Sequence, residues 1–78
     1  MSRKTTLNEN DLAALAKTFR KQAGKTRAQA AREMGVKQTS IFNAEETPGQ
    51  SLLKLRMRMI KVYSKFKVRG PVYLLEEK

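Results

Sequence analysis

The chain has 78 residues, seventeen basic and seven acidic, giving a formal charge of +10 and a pI near 10.4. That length makes one domain with a small core, often helped by a partner subunit, and that charge is the footprint of a polyanion ligand, nucleic acid first. With no cysteine and no histidine the chain lacks disulfides and the usual zinc ligands, no apolar run approaches membrane-spanning length, and the opening MSRKTTLNEN lacks the apolar core of a signal peptide, so a cytoplasmic protein without a membrane partner is expected.

Residues 1–6 are polar, basic and aperiodic, and are expected to form a flexible arm. Arg3 and Lys4 could follow a phosphate backbone or a minor groove, as basic arms do, or belong to a disordered end. Asn8 is a good N-cap, Asp11 places a negative charge in the first turn, and Leu7 can staple across to Leu12, so a first helix should begin near Glu9. Leu12, Leu15, Ala16 and Phe19 form a buried stripe, Gly24 closes the helix after Ala23, and Lys17, Lys21 and Lys25 are left for solvent. Thr26 with Gln29 makes a capping box that starts a second helix at about Arg27. Ala30, Ala31 and Met34 share one face, Gly35 ends the helix in the left-handed conformation, and Val36 turns the chain inward. A third helix from Gln38 to about Glu45 presents Ile41 and Ala44 on one side, with Gln38, Thr39, Phe42 and Asn43 on or near the other. Residues 26–45 therefore read as a helix-turn-helix.

Thr47 with Gln50 repeats the capping-box spacing around Pro48, which predicts that a fourth helix follows almost directly and runs to Tyr63 or Ser64. Its expected inner face is Leu52, Leu55, Met59, Ile60 and Tyr63. From position 54 to 69 the basic residues Lys54, Arg56, Arg58, Lys61, Lys65, Lys67 and Arg69 occur without an acid. Most should form a solvated face, with Arg56 or Arg58 best placed to meet a nucleic acid; a membrane-surface role would call for tryptophan or several phenylalanines on an apolar side that the core already needs. Residues 66–75 change period and read as a strand or a pair of strands interrupted by Gly70-Pro71. A lone strand needs a mate, which a two-fold copy supplies, so dimerisation through Phe66, Val68, Val72, Tyr73, Leu74 and Leu75 is expected; a hairpin around Gly70-Pro71, or a tail packed on its own core, is the alternative. The whole chain, residues 1–78, is thus expected to be one mainly α domain of four helices with a C-terminal β-strand or hairpin.

Catalysis finds no support in the residues. AGKT at residues 23–26 imitates the end of a P-loop, but Phe19 stands where that motif needs glycine and a helix precedes it instead of a strand. Without histidine or cysteine, and with the acids scattered or in pairs such as Glu45-Glu46 and Glu76-Glu77, no nucleophile is equipped with a base. Neither enzymatic activity nor a cofactor or metal site is expected.

Thr26, Ala30, Ala31, Met34, Gly35, Val36, Ile41 and Glu45 resemble the DNA-binding motif of the phage repressor and Cro family, the Xre-like regulators. Arg27 and Lys37 depart from the usual glutamine and serine, exchanging neutral phosphate contacts for charged ones, and Ala44 replaces a frequent tryptophan. Leu52-Leu53-Lys54-Leu55 also matches the family, through a shortened preceding connection. The resemblance implies a repressor-like helix-turn-helix domain and a sequence-specific, dimeric repressor of double-stranded DNA, prokaryotic or phage and nucleoid-associated. It also implies a salt bridge from Arg20 to Glu45, with the guanidinium near a phosphate; two exposed charges are the plainer reading. Gln38, Thr39 and Asn43 are the expected base readers, and Arg20, Arg27, Lys37 and Ser40 the phosphate contacts. Phe42 either touches thymine methyls or rests against the fourth helix. C-terminal strands also occur in antitoxin-type relatives, so the alternative is a module that mainly binds a toxin partner, with DNA binding secondary.

Overall fold

Among the residues that the computed structural model describes, 6–47, 52–69 and 73–77, the elements run β1 (Thr6–Leu7), α1 (Glu9–Gln22), α2 (Arg27–Met34), α3 (Gln38–Glu46), α4 (Leu53–Tyr63), β2 (Phe66–Arg69) and β3 (Tyr73–Glu77). The chain is mainly helical, as its periodicity predicts. Local chemistry sets the helix ends. Asn8 accepts the Asp11 amide at 2.8 Å while the Asp11 carboxylate accepts the Asn8 amide at 3.0 Å, a reciprocal box that opens α1. Thr26 and Gln29 do the same for α2, at 3.1 and 2.8 Å. Gly24 and Gly35 sit at φ +73° and +72°, where a side chain would be strained. Beyond Gly35 the Val36 amide returns to the Ala31 carbonyl at 3.0 Å, which turns α3 back across α2.

The expected direct passage from α3 into α4 is not found. Thr47 closes α3 as its C-cap, its hydroxyl donating to Asn43 at 3.4 Å, and α4 starts only at Leu53 with no capping side chain. Gln50, the other half of the expected box, and Pro48 lie outside the described residues. Thr47 already belongs to the end of one helix and does not open the next.

Leu12, Ala16, Ala30, Ala31, Met34, Ile41, Ala44, Leu55, Met59, Ile60 and Val68 form one continuous buried core. Ser64 turns the chain from α4 into β2 by donating to the Ile60 carbonyl and accepting the Phe66 amide. The strands form one antiparallel sheet in the order β1-β3-β2: Val68 pairs with Leu75, Lys67 with Glu76, and Leu7 with Tyr73. This corrects two expectations. Thr6 and Leu7, the end of the supposed arm and its neighbour, form a strand. The tail also finds its mates within the chain, one on each side of β3. Val68 is buried, Leu75 packs against the core, and Phe66 stacks on Phe19 with ring centroids 6.1 Å apart, so these residues serve the chain's own interior. Tyr73 and Leu74 lie in the central strand, while Val72 falls outside the described residues.

Arg56 overturns a further expectation. It is fully buried: Nε donates to the Ala44 carbonyl at 2.8 Å, Nη2 to the Thr47 carbonyl at 2.9 Å and Nη1 to Glu9 at 2.7 Å. Its neighbours explain why. The last turn of α3 has no basic residue of its own, and Arg56 supplies the cation and donors that its carbonyls need. A domain of this length holds about 4–12 kcal/mol in total. Arg56→Ala, which removes the donors to one buried and one part-buried carbonyl and to Glu9, should remove about 3–5 kcal/mol of it in urea denaturation, and Arg56→Lys should recover only part.

Candidate nucleic-acid interface

Helix α3 has two unlike sides. Ile41, Ala44 and Glu45 are buried, whereas Gln38, Thr39 and Phe42 are exposed and Asn43 is half-exposed. Lys37, the N-cap, is exposed and makes no side-chain cap, so the positive end of the helix dipole stands uncovered beside Gln38 and Thr39. Gln38, Thr39, Phe42 and Arg27 together line a shallow depression. Ser40, half-buried, faces another groove with Val36, Leu52, Leu53, Leu55, Lys54 and Arg58. Three base-reading candidates are thereby on one accessible side, with the exposed cations Lys37, Lys54 and Arg58 around the same helix.

The buried side is fixed by charge. The Glu45 side chain has no exposed surface; it accepts Arg20 Nε at 2.5 Å and Nη2 at 3.1 Å, and Arg27 Nε at 3.0 Å. The implied Arg20–Glu45 bridge is therefore present, and it is the buried form. The phosphate role expected of Arg20 is not supported by its position: the residue is 5% exposed, and its Nη1 donates to the Lys25 carbonyl at 2.7 Å, which the turn at Gly24 brings to it. Arg27 is diverted as well. Besides Glu45 it meets Glu46 at 2.8 Å, and its guanidinium lies 4.9 Å over the Phe42 ring. Phe42 thus stays on the surface, 45% exposed beneath Arg27.

Two of the lysines expected in open solvent also have partners. Lys17 lies 2.6 Å from Glu46 and Lys25 3.0 Å from Glu33. The Lys17 hydrogen bond, helped by Arg27, holds the Glu46 carboxyl below its ordinary value. Glu33 is lowered by the Tyr63 hydroxyl, which donates to it at 2.5 Å, and then by Lys25; burial and that same bond push the Tyr63 phenol up. This second cluster joins α2 to α4. Among the described residues no group of three or more His, Cys, Asp or Glu could hold a metal ion, and no helix is long and apolar enough to cross a membrane.

No protein-family model, curated protein or solved structure matches the chain. The site rests on its own geometry. What sequence reasoning misses is the burial of Arg56 and the acids that engage the half-exposed Arg27. For Arg56 a signal existed: positions 52, 55, 56, 59, 60 and 63 form one helical stripe, so an arginine stood on the apolar face. Glu45→Gln, which leaves two guanidinium groups short of a buried carboxylate, should cost about 3 kcal/mol in a urea melt. An unchanged midpoint would show that the cluster does not hold α3.

Proposed function

We propose that this protein is a sequence-specific DNA-binding transcriptional regulator, acting as a dimeric repressor that occupies a near-palindromic operator. The observation that carries the reading is the division of α3, with Gln38, Thr39 and Asn43 accessible on one side and Ile41, Ala44 and Glu45 anchored on the other. A helix held in this way can enter a major groove with short polar side chains leading. Gln38 would pair with N6 and N7 of adenine, Thr39 with a base edge or a thymine methyl, and Asn43 with a second base one turn later. Phe42, exposed beside them, would touch thymine methyls.

Lys37 and Ser40, at the opening of α3, are the proposed phosphate contacts, joined by Lys54 and Arg58 near Ser40. A charge of +10 and the likeness of residues 26–45 to the repressor and Cro motif support the same reading. Two copies on one duplex would set their α3 helices about 34 Å apart, in successive major grooves. Such a protein would work in the cytoplasm, on the nucleoid of a prokaryote or on phage DNA.

Binding to a selected operator and to random duplex separates base readers from phosphate contacts. Gln38→Ala should cost about 1–3 kcal/mol on the operator and relax one base position, while Lys37→Ala should weaken all sequences alike and reduce the salt slope by about 1. Equal losses on every sequence for both variants would argue against base reading and for a non-sequence-specific or protein-binding module.

A further inference from the structure

Glu46, the last residue of α3, receives two cations from two other helices on one oxygen. Lys17 of α1 lies 2.6 Å from Oε2, and Arg27, the first residue of α2, lies 2.8 Å from the same atom. Glu45 next to it has no exposed side-chain surface, but here every participant is open to solvent, with side chains 35%, 28% and 33% exposed for Lys17, Arg27 and Glu46. Exposed pairs contribute little to stability, and α3 is already held by Glu45 and Arg56. What the arrangement does build is a pair of donors converging on a single anionic oxygen, beside the depression that Arg27 lines with Gln38, Thr39 and Phe42. Arg27 stands in the first turn of α2, which has no acid to offset the positive end of the helix dipole.

We propose that Lys17 and Arg27 form a phosphodiester-binding site that the Glu46 carboxylate occupies in the free protein, so that a DNA backbone must displace Glu46 to dock against α3. This rests on the DNA-binding reading above. A phosphate oxygen is the same kind of acceptor as the carboxylate oxygen, and both cations can transfer to it without moving their helices. Glu46 then restrains a strongly basic chain from adhering to every polyanion it meets, lowering affinity on all sequences alike.

The test is fluorescence anisotropy of the full chain on random-sequence duplex across a salt series. Glu46→Gln should bind about three- to tenfold tighter than wild type at low salt, with a salt slope steeper by about 1. Glu77→Gln, the same charge change on β3, should gain less than about twofold, because the cation beside Glu77 is Lys65 and neither Lys17 nor Arg27. Lys17→Gln should weaken binding and flatten the slope, and should also shrink the gain from Glu46→Gln in the double variant. A Glu46→Gln protein that binds no better than Glu77→Gln would overturn the site, as would an unaltered salt slope in Lys17→Gln, a measurement that holds even should Glu46→Gln fail to fold. Wild-type protein that binds no duplex at any salt would instead overturn the DNA-binding reading itself.

Discussion

A carboxylate with no exposed surface survives in so small an interior only because two guanidinium groups meet it. Glu45 is that carboxylate; Arg20 reaches it from α1 and Arg27 from α2. Breaking such a set leaves an uncompensated buried charge, so the three helices are held in one arrangement. Where Glu45 points, α3 cannot roll. Arg56 secures the same C-terminal end of α3 through the carbonyls of Ala44 and Thr47 and reaches back to Glu9 at the start of α1. On the same side of the helix as Glu45, Ile41 and Ala44 fill the core, and the opposite side of α3 is left to solvent. The direction of Gln38 and Thr39 is therefore a consequence of buried ionic contacts that neither residue makes.

The same contacts redistribute the charge that composition alone would place on the surface. Two of the arginines nearest α3, Arg20 and Arg56, are enclosed, and Arg27 is divided between Glu45, Glu46 and the Phe42 ring. The exposed cations around α3 are Lys37 at its start and Lys54 and Arg58 on α4. Arginine suits the buried positions because its planar fork can satisfy several acceptors at once, whereas lysine is better left hydrated. A strongly basic sequence thus uses part of its positive charge as internal fastening.

How much of this could be read beforehand depends on the range of the interaction. The ends of α1 and α2 were legible because capping boxes and left-handed glycines act over three or four residues: Thr26 with Gln29, Gly24, Gly35. The Arg20–Glu45 pair was legible through a resemblance, not through spacing. The start of α4 is not legible in the sequence because Thr47 fits two local patterns, and only tertiary contacts choose between them. The sheet was the hardest to foresee, since pairing Leu7 with Tyr73 spans nearly the whole chain, and no local pattern near Thr6 announces a strand. The charge of Arg56 hides a position on the stripe of α4 that suits burial, and the partners of Arg27 are not legible because the acids that engage it lie on another helix.

Selecting bound fragments from a pool of random duplex DNA tests most directly the proposed recognition of base pairs by the exposed side of α3. The expected result is a recovered consensus with a few defined bases in each half, arranged as a near-palindrome with half-site centres about 10 base pairs apart. A recovered pool with the same sequence distribution as the starting pool would contradict it.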